Sequence, residues 1–141
     1  MEQRISLITL GVADLERSIA FYERLGWTRS VRDAEGVAFF QAGGVAFGLY
    51  PRDALVKDAN VSADGSGFSG MALAYNTRTR EDVDAILAEA ATAGAVVVKL
   101  AEEAFWGGYS GYFTDPDDFL WEVAWNPGFP LDDDGNLHLP G

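Results

Sequence analysis

One carboxylate stands out among the side chains that could do chemistry. Glu122 lies between Trp121 and Val123 in the apolar run Phe119–Trp125. A carboxylate in such surroundings that faces a cleft has its pKa raised by desolvation, which suits a general base or a receptor for a cationic group. The competing reading is an inert, hydrogen-bonded side chain, because structural networks also hold buried carboxylates. Aromatic residues crowd the same half of the chain: Phe105, Trp106, Tyr109, Tyr112, Phe113, Trp121 and Trp125. Strand alternation sets Trp121, Val123 and Trp125 on one face and Leu120, Glu122 and Ala124 on the other. Tyr75, Trp106, Tyr109, Tyr112, Gln41 and Tyr50 join Glu122 as candidate ligand-binding residues. Apolar rings with a few polar tips are the composition of a small-molecule pocket. Aromatics on strands also serve as plain core. The stretch Trp106-Gly107-Gly108-Tyr109 reads either as an aromatic flap over a cleft or as a rigid turn packed by Trp106.

Other chemistries are excluded or weak. The 141 residues contain no cysteine, so disulfides and thiolate metal sites are absent, and a reducing cytoplasm fits. The single histidine, His138, sits in a Pro/Gly-rich tail and is expected to be solvated. No nucleophile motif, phosphate loop or dinucleotide fingerprint is present. The formal net charge of −12 repels phosphate backbones and argues against nucleic acid as a partner. That charge keeps the chain soluble and would favour encounter with a cationic ligand. No run approaches the roughly 18–20 apolar residues of a membrane span. Met1–Arg4 lead straight into a strand pattern, so no signal peptide is expected.

These residues need elements to hold them. Residues 4–12 alternate as a strand, with Leu7, Thr9 and Gly11 on one face and Ile8, Leu10 and Val12 on the other. Asp14 is suited to cap a helix whose buried stripe is Leu15, Ile19, Tyr22 and Leu25, and Gly26 ends it. Residues 27–32 return as a strand, and 36–41 and 45–50 form a hairpin around Gly43-Gly44. Residues 51–69 read as a linker, with a helical turn near Ala54–Asp58. A strand over 70–76 then precedes a helix capped by Thr79, with Asp82 in a weak capping box. Its stripe is Val83, Ile86, Leu87, Ala90 and Ala91, and Gly94 closes it. Strands follow over 95–100, 109–114 and 119–125. The last two are joined by Asp115-Pro116-Asp117-Asp118 as a type I turn. Residues 126–141 are a Pro/Gly/Asp tail.

The plan therefore occurs twice. The helix starts Asp14 and Thr79 are about 65 residues apart, and the terminators Gly26 and Gly94 about 68. Order, spacing and caps together argue for duplication. The fold class is α+β: two βαβββ modules, 4–50 and 70–125, paired into a curved mixed sheet around a cleft within one domain spanning residues 1–141. Exposed aromatics lead to the expectation of a homodimer.

Two stretches carry a family resemblance over residues 4–126. The first is Leu10-Gly11-Val12-Ala13-Asp14-Leu15, with Ser18, Phe21-Tyr22 and Leu25-Gly26. The second is Trp106 through Val123, ending Thr114-Asp115-Pro116-Asp117-Asp118-Phe119-Leu120-Trp121-Glu122-Val123. In that order they resemble the vicinal oxygen chelate superfamily, which includes glyoxalase I, the bleomycin-resistance proteins and extradiol dioxygenases. The resemblance implies a divalent metal held by a histidine on each module's first strand and a glutamate or similar ligand on each last strand. Here the first histidine position falls on Leu7, residues 45–50 offer no ligand, and no register of 70–76 supplies a histidine. Only Glu122 matches. About three protein ligands are needed for a catalytic metal, so no metal or other cofactor is expected. Asp118 stands where the family often has glycine, at a position that tends to the left-handed region. The implied function is a metal-independent small-molecule binding protein of the bleomycin-resistance kind, holding a cationic or aromatic ligand in an aromatic cleft. The alternative is a glyoxalase-like lyase, isomerase or dioxygenase with an atypical site that uses Glu122 as its catalytic residue, or a metal site completed by a partner chain or by carboxylates such as Asp58 or Asp132. A non-catalytic interaction subunit is a third reading.

Overall fold

The computed structural model describes residues 1–141 apart from 2, 4, 66, 70 and 141. The expected strand starts at Arg4 and Gly70 thus fall outside the described residues. The chain divides into two compact units, Met1–Gly67 and Phe68–Gly141. The first holds β1 (Leu7–Val12), α1 (Leu15–Arg24), β2 (Arg29–Ser30), β3 (Ala38–Ala42), β4 (Val45–Pro51) and α2 (Arg52–Ala59). The second holds β5 (Ala72–Asn76), α3 (Arg80–Ala93), β6 (Val96–Glu103), β7 (Tyr109–Thr114) and β8 (Leu120–Trp125). Strand order is β1-β4-β3-β2 in one sheet and β5-β8-β7-β6 in the other. In each, the first strand runs parallel to the last and the remaining pairs are antiparallel. The α+β class and the βαβββ repeat are therefore observed, as two open four-stranded mixed sheets.

The two repeat helices begin and end by the same chemistry. Asp14 accepts from the Arg17 backbone N–H at 3.0 Å and caps α1. Thr79 and Asp82 form a full reciprocal capping box on α3, stronger than the sequence suggested. At the C-termini, Trp27 N–H donates to Tyr22 O at 3.1 Å, and Ala95 N–H to Ala90 O at 2.9 Å. Gly26 (φ 91) and Gly94 (φ 116) supply the left-handed residue that this closure needs. The buried stripes are shifted from expectation. In α1 they are Ser18, Ile19, Phe21 and Tyr22, with Leu15 and Leu25 only half-buried. In α3, Ala93 is buried and Ala91 is exposed.

Three local departures have physical causes. The expected strand 27–32 shrinks to Arg29–Ser30 because Val31 turns to φ 48 and accepts from Ala34 N–H at 3.0 Å. Arg29 Nη2 pins that loop through the carbonyls of Ala34 and Val37, at 3.0 and 3.1 Å. The linker contains a true eight-residue helix, α2, ended by Asn60 in the left-handed region. Gly11 lets α2 lie close to β1: a Cβ there would stand 3.3 Å from Leu55 Cδ2 and 3.4 Å from Arg52 Cα. In the second unit, Asp118 adopts φ 65 after the Asp115–Pro116–Asp117 turn, as its position foretold. The Asp115 carboxylate pays for that turn by accepting from Asp117 and Phe119 N–H, both at 2.9 Å.

The densest aromatic packing lies in the first unit, not the second. Tyr22 meets Phe47 at 4.9 Å between ring centroids, and Trp27 meets Phe47 at 5.2 Å and Phe40 at 5.8 Å. Tyr22, Phe21 and Phe40 are at most 1% exposed. In the second unit, Phe113 stacks on Trp121 at 5.9 Å, and Val83 and Val123 are fully buried. Trp121 is thus core, the plainer of its two readings.

Candidate functional site on the second sheet

Register decides which side chains share a face. Tyr112 pairs with Glu122, and Glu122 with Ala74, in one row across β7, β8 and β5. The alternate row, Phe113–Trp121–Leu73, lies on the helix side. Gly111 marks that side: a Cβ there would come within 2.7 Å of Leu87 Cδ1 on α3. Glu122 and Tyr112 therefore stand on the face turned away from α3. The Tyr112 hydroxyl donates to Glu122 Oε2 at 2.6 Å, and both residues are half-buried. This hydrogen bond raises the Tyr112 pKa above the ordinary phenol value, helped by burial and by the carboxylate's charge. A neutral phenol is thereby kept as a fixed donor to a carboxylate, a short and charge-assisted contact. Lys99 continues the row as the β6 partner of Tyr112, and its ammonium pairs with Glu102 at 3.0 Å. Lys99 was not singled out from sequence. Register shifts in β6 between Val97 and Glu102 hide its alignment.

The remaining candidates do not converge on this pair. Tyr109 is on the helix side, where its hydroxyl donates to the Asp84 carboxylate at 3.1 Å and Arg80 lies 4.2 Å from its ring centroid. Desolvation and then the Asp84 hydrogen bond push its pKa up, against the opposing charge of Arg80. Trp106 sits in the turn closed by Gly107 N–H donating to Ala104 O at 3.0 Å. Its ring fills the space that a Gly108 Cβ would need, which is the packed-turn reading of this loop. Tyr75 pairs with the fully buried Val123 and so also lies on the helix side. In the first unit, Gln41 Nε2 donates to Gly43 O within the hairpin turn, and Tyr50 is half-buried near the end of β4. His138 is exposed but not solitary. Its Nε2 lies 2.9 Å from Asp132 Oδ2, and the same carboxylate accepts from Asn136.

The first sheet offers a matching row. Thr9 pairs with Gly48 and Gly48 with Phe39, on the face opposite the Tyr22–Phe47 cluster. A Cβ on Gly48 would meet Thr9 Oγ1, Leu7 Cδ1 and Phe39 Cδ1 at 3.4–3.6 Å. Leu7 thus occupies this face with no donor atom to offer.

The sequence and fold are similar to those of known proteins. The sequence model of the Glyoxalase/Bleomycin resistance protein/Dioxygenase superfamily matches residues 4–123. The chain belongs to this superfamily. A glyoxalase-related enzyme from Fulvimarina pelagi superposes with a TM-score of 0.89 at 33% identity, over 99% of this chain and 100% of that one. A glyoxalase/bleomycin resistance protein/dioxygenase from Nocardioides gives 0.73 at 25% identity, over 89% of this chain and 84% of that one. The lactoylglutathione lyase of Agrobacterium tumefaciens shares the fold, with a TM-score of 0.67 at 22% identity over 89% and 96% of the two chains. No match is found among curated proteins.

The metal associated with this superfamily does not fit the donor set. Among the described residues no three His, Cys, Asp or Glu side chains gather into a group able to hold a metal ion. At the row that carries Glu122, the neighbours are a phenol and an alanine. One carboxylate and a phenol fall short of the three protein ligands a catalytic metal needs.

Proposed function

We propose that this member of the Glyoxalase/Bleomycin resistance protein/Dioxygenase superfamily is a small-molecule binding protein that takes a cationic or aromatic ligand on the Glu122–Tyr112 face without using a metal. The observation that carries this reading is the 2.6 Å hydrogen bond from Tyr112 to Glu122 Oε2. It fixes the carboxylate's orientation and leaves Oε1 to accept from an ammonium, amidinium or N–H group of a ligand. The phenol ring beside it presents a π-face for a flat or cationic ligand body. The overall charge of −12 favours encounter with a cation. A charge-assisted hydrogen bond of this kind contributes roughly 1.5–3 kcal/mol, toward the lower end for a half-exposed group. A homodimer in a reducing cytoplasm completes the proposal. Phe105 and Leu100 are exposed apolar residues that a second copy would cover.

A second reading, favoured by the 33% identity to a glyoxalase-related enzyme, is a lyase, isomerase or dioxygenase-like catalyst. Glu122 would then take a proton from a carbon acid, with Tyr112 holding the carboxylate in place. The readings separate in one experiment. Melting temperature is measured against divalent metals, cationic aromatic antibiotics and small oxo-acids, with stabilisation read by mass action. The binding reading predicts stabilisation by a cationic aromatic compound and none by metal. Stabilisation by a metal, or by an oxo-acid that the protein then converts, supports the catalytic reading instead.

A further inference from the structure

A recess of about 480 Å³ lies within the second unit, away from the Glu122 face. It is lined by Tyr75 and Asn76 of β5, Arg78, Asp82 and Ile86 around the start of α3, and the tail residues Leu131, Asp134 and Gly135. Its volume is in the range of small-molecule sites, and its lining combines an apolar wall with a few polar groups. Tyr75 is the wall's centre. It stands on the helix side of the sheet yet remains 48% exposed, because α3 offers only the small Ala85 beside Ile86 there.

The polar groups differ in what they have left to give. The Arg78 guanidinium is engaged with the tail: Nη1 donates to Asp132 O at 2.9 Å and Nη2 to Asp133 O at 3.1 Å. It acts as a clamp that builds one wall of the recess. Asp132 stiffens the same wall by accepting from Asp134 N–H at 3.0 Å and Asn136 N–H at 2.8 Å. The Asp134 and Asp82 carboxylates remain as acceptors at the rim, Asp82 with one oxygen already on the Thr79 N–H. Two carboxylates against one occupied guanidinium select a cation. We infer that this recess is a second binding site, for a small amine whose ammonium pairs with Asp134 and whose apolar body lies on Tyr75, Ile86 and Leu131. It is separate from the site proposed at Glu122 and does not depend on it.

The test is an NMR titration of the full chain with phenethylamine, beside 2-phenylethanol and phenylacetate as neutral and anionic controls. The site predicts amide shifts clustered at Tyr75, Arg78, Ile86, Leu131 and Asp134, with the amine binding most tightly. Asp134→Asn keeps the backbone hydrogen bond and should weaken the amine about threefold to tenfold. Tyr75→Ala should weaken it about tenfold through lost apolar and cation–π contact. Glu122→Gln should leave these shifts unchanged, which separates this site from the one on the opposite face. Melting temperatures near wild type confirm that both recess variants fold. Tighter binding of phenylacetate, shifts confined to the Glu122 face, or no shifts at millimolar amine would each overturn the inference.

Discussion

The two sheets are built on one register but carry different chemistry at the same place. Phe39–Gly48–Thr9 in the first corresponds to Tyr112–Glu122–Ala74 in the second, and Phe40–Phe47 corresponds to Phe113–Trp121 behind them. The helix-facing rows stay aromatic in both because each must bury a face against its helix. The rows turned away from the helices differ. One holds a phenyl ring, a glycine and a threonine, and the other a carboxylate hydrogen-bonded by a phenol.

The first unit's aromatic packing should respond most strongly. Tyr22→Ala removes a fully buried ring at the centre of the first unit's aromatic cluster. A loss of about 3–5 kcal/mol is expected in chemical denaturation. A loss below 1 kcal/mol would mean that the cluster is not the structural centre of that unit.

The glycines sharpen the contrast next. A Cβ at Gly111 would meet Leu87 Cδ1 at 2.7 Å and the β6 backbone at Lys99 O at 2.8 Å. Gly111→Ala is expected to cost about 1–3 kcal/mol through overpacking. Gly48→Ala enters ordinary contact at 3.4 Å or more and should change stability by less than about 1 kcal/mol. Equal costs at both sites would show that the outward face of the first sheet is as crowded as the helix-facing side of the second.

The Tyr112–Glu122 pair gives a smaller but more specific effect. A raised phenol pKa means that the native state favours the protonated ring. Its contribution to stability is present below the free tyrosine value and is lost as pH rises through the native one. Ultraviolet titration of wild type against Tyr112→Phe isolates this phenol, and Glu122→Gln should bring its pKa down. No change in Glu122→Gln would dissolve the coupling. Smallest of all is the tail. Hydrogen bonds from His138 and Asn136 hold the Asp132 carboxylate well below the usual range. Its stabilisation is present above the free carboxylate value and disappears as pH falls through the native one. The tail order read from the Asp134 and Asn136 amides, which donate to Asp132, should therefore be lost only in strong acid, and a tail that loosens at pH 5 would contradict this.

Much of this was legible in the sequence because it rests on local signals. Asp14, Thr79, Gly26, Gly94 and the Asp115–Asp118 turn each act through hydrogen bonds to near neighbours. Glu122 was legible as the single carboxylate in an apolar strand, and its separation from Trp121 and Trp125 followed from alternation. Its pairing with Tyr112 was not, because that depends on the β7–β8 register. The irregular β6 hid Lys99, and the assignment of Tyr75 and Tyr109 to the helix side needed the pairing of β5 and β7 with β8. The α1 stripe turns toward Ser18 and Phe21 while Tyr22 packs on Phe40 of β3 and Phe47 of β4, a tertiary arrangement that periodicity alone does not see.

On the proposed reading, the second sheet's outward face binds through Glu122 and not through a metal. The most direct measurement is calorimetric affinity for the compound that stabilises the wild type most, with and without a chelator, in wild type and Glu122→Gln. About tenfold weaker binding in Glu122→Gln, with no effect of the chelator, is the predicted result. Undiminished binding by Glu122→Gln, or binding abolished by the chelator, would contradict the account.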